Sequence, residues 1–321
     1  MRGPGAALIL LAASGALGPA GCGGGPATDG SRAAAAAGRH AVVRALQVAN
    51  GPVDAQAPAR AALTLRLAAT QDRVHARLGR LPRAGLLFDL DTGEVLWRRN
   101  PTRRLAIASL TKMMTALLVS ARTEPGDRAR ITREALNYTG SGMGVLREGR
   151  RVPVQTLLHG LLLPSGNDAA IALALRVSGS QRAFVARMNE RAAQMGLACT
   201  RFASPSGIVD RGNHSCAADL ARLARAVLDD RRLAPIVRRR RAILPFRIKG
   251  GHIFLFNHNP LVRLGYPGVL GVKTGYTRIA GRCIVAAARR GGRRLGVVLL
   301  RSPDPGRQAR RLLDAGFRAR S

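Results

Sequence analysis

Ser109-Leu110-Thr111-Lys112 places a hydroxyl and an amine three residues apart at the start of an apolar helical pattern. At helical spacing, residues i and i+3 lie on one face about a turn apart. A serine hydroxyl becomes a good nucleophile only when a base removes its proton, and a buried lysine with a lowered pKa is such a base. Backbone N–H groups at a helix start can stabilise the negative oxygen that develops in acyl transfer. The pattern therefore predicts Ser109 as a nucleophile and Lys112 as its base.

The use of lysine elsewhere in the chain supports this interpretation. The chain holds 52 Lys and Arg residues, and lysine occurs only at Lys112, Lys249 and Lys273. Arginine keeps its proton in proteins, whereas a desolvated lysine can lose it. A lysine retained in so arginine-rich a sequence indicates a site that needs a neutral amine.

Ser165-Gly166-Asn167 is a polar triplet that follows the apolar run LLHGLLLP and opens a further helical pattern. Taken alone, the triplet is most simply an ordinary turn. In an acyl-transfer site, Ser165 would relay a proton between the lysines and the leaving group. Asn167 would then hydrogen-bond an amide of the substrate.

Lys273-Thr274-Gly275 ends a predicted strand in the stretch GVLGVKTGYT. Gly275 leaves room for a substrate backbone to lie alongside the strand, and the N–H of Tyr276 can be a second donor to an oxyanion. Lys273 and Thr274 can bind a carboxylate of the substrate. The alternative is a turn at the edge of a strand.

Turn and cap signals indicate where the surrounding elements begin and end. Two apolar runs around Asp91-Thr92-Gly93 predict a hairpin, and Gly291-Gly292 predicts a tight turn between two C-terminal strands. Gly196 suits the end of one helix, and Ser215 is a candidate N-cap for the next.

Periodicity then gives the order of the elements. Helices are predicted from 109 onward and over 154–163, 168–178, 180–196, 216–229 and 306–315, and C-terminal strands over 266–274, 282–289 and 293–301. Two strands, an all-helical middle, three strands and a final helix predict an α+β fold. In that fold an antiparallel sheet lies beside a helical cluster.

The three motifs in this order resemble the set found in class A β-lactamases and penicillin-binding proteins. The chain resembles the serine D-Ala-D-Ala carboxypeptidases, the low-molecular-mass penicillin-binding proteins of peptidase family S11, from about Gly85 to Phe317. The resemblance is carried by DLDTGEVLWRRN, ASLTKMMTALL, LLLPSGNDAAIALA, FVARMNERAAQMGL, TRFASPSGI, NHNPLV, YPGVLGVKTGYTRIAGRC and LLDAGF. It implies a β-lactamase/transpeptidase-like fold, with a five-stranded antiparallel sheet flanked by a helical cluster.

The resemblance also implies an activity on peptidoglycan stem peptides. Ser109 would attack the bond between the last two D-alanines, with Lys112 as base and the N–H groups of Ser109 and Tyr276 as the oxyanion hole. Water would then hydrolyse the acyl-enzyme. Because penicillins imitate D-Ala-D-Ala, β-lactams are expected to acylate Ser109 as covalent inhibitors.

The remaining site residues take their roles from the same resemblance. Ser165 and Lys273 would manage protons and the substrate carboxylate, together with Thr274 and Gly275. Asn167 would hold the substrate. Arg307, in GRQARRLLDAGF, matches a family arginine that binds the terminal carboxylate, and its alternative is an arginine on a solvated helix face. Neither a metal nor another cofactor is expected, since no Cys/His cluster has zinc-ligand spacing.

Three other functions are alternatives to this one. A β-lactamase of class A uses a glutamate after the second motif, but the last glutamate here is Glu190, in a predicted amphipathic helix. Fast penicillin hydrolysis is therefore not expected. The nearest enzymatic alternative is an endopeptidase that cuts D-Ala cross-links, and a non-catalytic wall-binding lipoprotein is the alternative of another class.

The first 81 residues show targeting and tether signals rather than a domain. Residues 1–21 have the arginine and the short apolar stretch of a signal peptide. Cys22 in PAGC resembles the lipidated cysteine of a lipoprotein, although ordinary signal-peptidase cleavage is the alternative. Residues 22–81 predict a Gly/Ala/Pro-rich tether with a helix over 59–80, and residues 82–321 predict the catalytic domain, with no additional C-terminal β domain. The protein is expected to be exported to the cell envelope and anchored, if at all, by an N-terminal lipid.

Composition sets the remaining limits. The formal net charge is +34, but the arginines are scattered and no motif that reads a nucleic-acid groove accompanies them. A preference for arginine on solvated faces is therefore favoured over nucleic-acid binding, and anionic wall polymers or acidic lipids are the expected partners. A bridge between Cys199 and Cys216 can form in an exported protein. Buried small hydrophobic side chains are the favoured interpretation of these two cysteines and of Cys283.

Overall fold

A five-stranded antiparallel sheet forms the centre of the protein. The structure is a computed structural model that describes residues 63–68 and 71–319. In chain order the strands are β1 (Ala84–Asp89), β2 (Val95–Arg99), β3 (Leu105–Ala106), β4 (Arg128–Arg130), β5 (Arg151–Pro153), β6 (His214–Ser215), β7 (Arg241–Pro245), β8 (His252–Phe256), β9 (Val269–Thr277), β10 (Gly281–Arg290) and β11 (Arg293–Leu300). The central sheet has the order β2-β1-β11-β10-β9, and its neighbouring strands are all antiparallel.

Helices cover both faces of this sheet. A 3₁₀ helix (Ala108–Thr111) leads directly into α1 (Lys112–Arg122). In chain order the others are α2 (Arg133–Leu136), α3 (Val154–Leu162), α4 (Asn167–Ser178), α5 (Gln181–Gln194), α6 (Ala217–Asp229), α7 (Ala234–Arg238), α8 (Pro260–Arg263) and α9 (Pro305–Arg318). The predicted α+β fold with a five-stranded antiparallel sheet and a helical cluster is confirmed.

The sheet has a separate core on each face, which explains its almost continuous apolar strands. On β1, Leu86 and Phe88 point into the helical cluster, whereas Leu87 points to the opposite face. That opposite face is closed by Leu312 and Leu313 of α9. Successive side chains of a strand alternate between faces, so a sheet covered on both faces needs apolar residues at every position.

The middle of the chain is not all helical, contrary to the prediction. Strands β7 and β8 form a hairpin in which Ile243 lies opposite Phe254, and two short pairs join β3 to β6 and β4 to β5. In β7 and β8 buried and exposed residues alternate, and the exposed positions include Ile243, Phe254 and Phe256. A half-buried strand is recognised by alternating polar and apolar residues. Because the exposed positions here are also apolar, the sequence lacks that alternation and the two strands were not predicted.

The part of the predicted tether that the structure describes lies against the domain. Leu63 and Leu65 are buried in one core, and Val74 and Leu78 in the other. The N–H of Val74 donates to the carbonyl of Leu96 at 2.9 Å. The helix predicted over 59–80 does not form in residues 63–68 or 71–80. The predicted signal peptide and Cys22 lie outside the described residues.

Two further expectations are corrected near α6. Cys199 and Cys216 form a disulfide with their Cα atoms 5.6 Å apart, so they are not independent buried thiols. The N-cap of α6 is Cys216 rather than Ser215, whose hydroxyl instead pairs with that of Thr200 at 2.7 Å. Cys283 is a free, buried cysteine, as the sequence predicts. The bridge was the less favoured alternative in the sequence, because the backbone pairing of Arg201 with His214, and not the spacing of the cysteines, brings the two together.

Candidate active site

Ser109 lies in the 3₁₀ helix that precedes α1, and its side chain is half-buried. The chain enters this helix through Ala108, which has a φ of +48°. The Nζ of Lys112, one turn further on, lies 2.8 Å from the Oγ of Ser109, and Lys112 is completely buried. The two residues predicted to be nucleophile and base are therefore in direct contact.

The other contacts of the Lys112 amine determine where its lone pair points. Its Nζ also lies 2.6 Å from the Oδ1 of Asn167 and 2.7 Å from the carbonyl oxygen of Ser206. Both of these oxygens only accept hydrogen bonds. A neutral amine has two N–H groups, which these two acceptors use, so its lone pair is left for the hydroxyl proton of Ser109.

The orientation of the Asn167 amide is fixed by a second contact. Its Nδ2 donates to the carbonyl of Thr139 at 2.6 Å, which turns the Oδ1 toward Lys112. Asn167 is 3% exposed, and both ends of its amide are used within the protein. In this structure Asn167 therefore holds Lys112, and its contact with a substrate amide stays a prediction.

Burial favours the neutral form of both site lysines. Desolvation lowers the pKa of Lys112 well below its usual value, and the charge of Lys273 lowers it further. The nearby charge of Asp168 acts in the opposite direction. Burial alone lowers the pKa of Lys273 to about 7. Near neutral pH Lys273 can therefore both give and take a proton, and its lowered pKa lets Lys112 act as a base.

Ser165 is held in a strained backbone conformation with an unused hydroxyl. Its φ is +68°, which is uncommon for a residue other than glycine. Its Oγ is buried and has no hydrogen-bond partner among the described residues. The next N–H, that of Gly166, donates to the carbonyl of Gly160 at 2.8 Å, so the turn itself is well anchored. A buried hydroxyl without a partner is expected where a substrate supplies one.

Strand β9 brings the third motif against the nucleophile. The Nζ of Lys273 donates to the carbonyl of Thr274 at 2.9 Å, and Lys273 is 1% exposed. The motif lies inside β9, which runs on to Thr277, and not at the strand end as predicted. A Cβ atom at Gly275 would come within 3.1 Å of the backbone nitrogen of Ser109. Only glycine lets the strand approach so closely.

A cavity of about 580 Å³ opens beside these residues. Five predicted site residues line it: Ser109, Ser165, Thr274, Gly275 and Tyr276. Lys112, Asn167 and Lys273 are buried next to it and do not line it.

Arg307 is exposed in the first turn of α9 and does not line the cavity. The arginines that do are Arg263 and Arg282, together with His258. The structure thus brings together eight of the nine predicted residues, and Arg307 lies outside the cavity wall.

Three contributors to the site were missed from sequence. The carbonyls of Ser206 and Thr139 hold Lys112 and Asn167, and the Asp168 carboxylate accepts hydrogen bonds from the N–H groups of Met143 and Gly144. Burial raises the pKa of Asp168, and these hydrogen bonds lower it. Ser206 lies in TRFASPSGI, a stretch that carries the resemblance. Because it acts through its backbone, its side-chain type gave no signal.

The described residues offer one grouping of side chains that could be considered for a metal ion. One group has its ligand atoms close together, Cys199, Cys216 and Asp219. The two sulfur atoms are bonded to each other, so this group offers only a carboxylate.

None of the helices in the described part of the chain is long and apolar enough to cross a membrane.

Comparisons with known proteins identify the family of the chain. The family model of Peptidase_S11, D-alanyl-D-alanine carboxypeptidase, matches residues 73–303. DacF of Bacillus subtilis, a D-alanyl-D-alanine carboxypeptidase, is 35% identical over 73% of this chain and 62% of its own length. DacB2 of Mycobacterium tuberculosis, with the same description, is 35% identical over 72% of this chain and 81% of its own. The chain spans 62% of the length of DacF and also of DacD from Escherichia coli.

Solved structures show the same fold. The Streptomyces K15 DD-transpeptidase matches with a TM-score of 0.70 and 30% identity, over 75% of this chain and 99% of that one. A D-alanyl-D-alanine carboxypeptidase from Mycobacterium tuberculosis matches with a TM-score of 0.71 and 32% identity, over 78% of this chain and 96% of that one. The chain therefore belongs to the Peptidase_S11 family of D-alanyl-D-alanine carboxypeptidases.

Proposed function

We propose that this protein is a serine D-Ala-D-Ala carboxypeptidase that removes the terminal D-Ala of peptidoglycan stem peptides. The observation that carries the proposal is the buried Lys112 amine, whose lone pair is directed at Ser109 by Asn167 and the Ser206 carbonyl. A hydroxyl activated in this way beside a cavity is suited to acyl transfer. The names of the relatives support the same substrate class.

In the acylation step, the Oγ of Ser109 attacks the carbonyl carbon of the penultimate D-Ala, and its proton passes to Lys112. The carbonyl oxygen becomes an oxyanion, for which the N–H groups of Ser109 and Tyr276 are the proposed donors. The C–N bond then breaks, and the proton held by Lys112 passes to the leaving amine of D-Ala through Ser165, whose Oγ has no partner among the described residues. Thr274, which lines the cavity, is the proposed ligand of the substrate carboxylate, and the buried Lys273 beside it is proposed to help manage protons.

In the deacylation step, water attacks the ester on Ser109 and releases the shortened peptide. Lys112 is again the proposed base: it takes the proton of the attacking water and returns it to the Oγ of Ser109, which it contacts at 2.8 Å in the free protein. Glu190 is exposed on α5 and does not line the cavity beside Ser109, so it does not supply the glutamate of a class A β-lactamase. A penicilloyl ester on Ser109 is therefore expected to be long-lived.

Intact-mass spectrometry with benzylpenicillin tests this proposal. The wild-type chain should gain the mass of one penicillin, and Ser109→Ala should gain nothing. Release of D-Ala from a stem pentapeptide should likewise depend on Ser109. An unmodified wild-type chain with intact penicillin would reject an acyl-enzyme and favour a non-catalytic wall-binding role.

The acceptor of the acyl group decides between related activities. Water gives a carboxypeptidase, whereas an amine gives a transpeptidase such as the named Streptomyces K15 neighbour. A cross-linked dimeric peptide as substrate would reveal an endopeptidase. Chromatography of the products from a pentapeptide, with and without an added amine, separates the first two outcomes. Cleavage of the dimer identifies the third.

The site of action follows from the substrate class. A protein that acts on peptidoglycan works in the cell envelope, and we propose that residues 1–21 direct export and that Cys22 carries a lipid anchor. The support is the sequence alone. A Cys22→Ser variant should lose incorporation of a labelled fatty acid and should leave the membrane fraction. Retention of the label would reject Cys22 as the lipidated residue.

A further inference from the structure

Residues 199–216 leave the helical cluster after α5 and return at the start of α6. The disulfide between Cys199 and Cys216 closes this segment at its base. Next to the disulfide, two backbone hydrogen bonds of 2.9 and 3.0 Å between Arg201 and His214 also hold the two sides of the segment together. Residues 199–216 are called the bridged loop below.

A buried carboxylate anchors the base of the bridged loop. Asp219 on α6 is 1% exposed and accepts hydrogen bonds from the N–H of Cys199 at 2.7 Å and the hydroxyl of Thr200 at 2.8 Å. Cys216 is completely buried at the N-terminus of α6. The disulfide therefore ties both ends of the loop to a fixed helix start.

The side of the bridged loop opposite the disulfide contacts α1, the helix that begins at Lys112. The carbonyl oxygens of Pro205 and Ser206 accept hydrogen bonds from Thr115 at 2.6 Å and from Lys112 at 2.7 Å. Both acceptors belong to the backbone. Their positions therefore depend on the path of the loop and not on its side chains.

The same loop packs directly on the helix that holds the nucleophile. Gly207 has a φ of +77°, and a Cβ atom there would come 2.1 Å from the carbonyl oxygen of Ala108 and 2.6 Å from the hydroxyl of Thr111. The Nδ2 of Asn213 donates to that hydroxyl at 3.0 Å. Because the loop and the 3₁₀ helix that carries Ser109 are packed without free space, any shift of the loop also moves that helix.

We propose that the Cys199–Cys216 bridge is a positioning element for acylation, because it holds the Ser206 carbonyl on Lys112 and so keeps the lone pair of the amine directed at Ser109. This inference rests on the proposed function. Without the bridge the segment gains chain entropy, and the carbonyl moves off the amine while water enters. The charged groups that face Lys112 are Asp168 on α4 and Lys273 on β9, and neither belongs to the bridged loop.

The test measures the rate at which benzylpenicillin acylates the full chain over a series of pH values. It compares the wild type, the double variant Cys199→Ser/Cys216→Ser, and wild type whose disulfide is reduced with a phosphine. We expect acylation about 10- to 100-fold slower without the bridge. The acid limb of the profile should move to higher pH, since added water weakens the desolvation that lowers the pKa of Lys112.

Two controls separate positioning from general damage. The phosphine should not change the double variant, which has no bridge to reduce. Gly207→Ala keeps the bridge, but its Cβ collides with the carbonyl oxygen of Ala108 and pushes the loop away from the helix. It should therefore show the same slower rate and the same shift of the acid limb. If the double variant does not fold, as judged by circular dichroism, the comparison of the reduced wild type with the untreated wild type still decides the question.

The outcomes for the two proposals are distinct. A wild-type chain that penicillin does not acylate rejects the proposed function. If the wild type is acylated and the bridge-free chain has the same rate and pH profile, the positioning role is overturned. A lower melting temperature with an unchanged acid limb would also overturn it, because the bridge would then stabilise the fold without acting on Lys112.

Discussion

The backbone of Gly275 lies directly against the backbone of Ser109. A Cβ atom at Gly275 would come 3.1 Å from the nitrogen of Ser109 and 2.8 Å from the carbonyl oxygen of Ile107. The backbones of the edge strand β9 and of the 3₁₀ helix before α1 are therefore in direct contact, with no side chain between them. This contact sets the separation of the two backbones that carry the proposed oxyanion donors.

Gly275→Ala should slow acylation by benzylpenicillin about 100-fold, because the added methyl group pushes β9 away from Ser109. Gly126→Ala is the matched control, since a Cβ atom there meets no atom within 4 Å. The rates are measured by intact mass. Equal rates for the two variants would show that the close approach has no catalytic consequence.

Lys112→Arg should reduce acylation about 1,000-fold while keeping a positive side chain, because a guanidinium does not give up its proton and cannot act as a base. Lys249→Arg makes the same exchange at an exposed position and should match the wild type. Rates within a few fold of wild type for Lys112→Arg would rule out Lys112 as the base.

Ser165→Ala should lower the acylation rate and leave the melting temperature nearly unchanged. The Oγ has no partner among the described residues, so its removal breaks no hydrogen bond in the free protein. Thermal unfolding and penicillin acylation are measured on the same sample. A large loss of stability with normal acylation would assign the hydroxyl to the fold and not to the reaction.

The stability of the protein should increase with pH above neutrality. Burial lowers the pKa of Lys273 from 10.5 to about 7, so between these values the unfolded chain binds the extra proton. The free energy of unfolding therefore rises with pH in this window, by up to about 1.4 kcal/mol per pH unit for one lysine. Lys273→Met should show a smaller slope in urea unfolding at a series of pH values. Identical slopes would contradict a neutral, buried Lys273.

Arg307→Gln tests the role that family resemblance gives to this arginine. If Arg307 binds the terminal carboxylate, the variant should raise the KM for a stem pentapeptide about 10-fold, at little cost to kcat. Arg310→Gln removes the same charge from the same helix and should leave KM unchanged. Equal KM values for both variants would transfer the role to Arg263 or Arg282, which line the cavity.

Local sequence determined the elements that have a strong periodic signal. Helix α5 ends close to Gly196, as predicted, and the predicted turn at Gly291-Gly292 joins β10 to β11. The hairpin of β7 and β8 was missed because its solvent side carries Ile243 and Phe254. An alternating pattern cannot be recognised when both faces of a strand are apolar.

The sequence by itself determined which two side chains meet as a candidate nucleophile and base, because Ser109 and Lys112 are joined by helical spacing alone. Tertiary structure decided what surrounds them. The carbonyls of Thr139 and Ser206 are backbone atoms, and any residue type offers the same acceptor, so no pattern in the chain could point to them. Only the fold shows that a loop 94 residues away directs the lone pair of Lys112 toward Ser109.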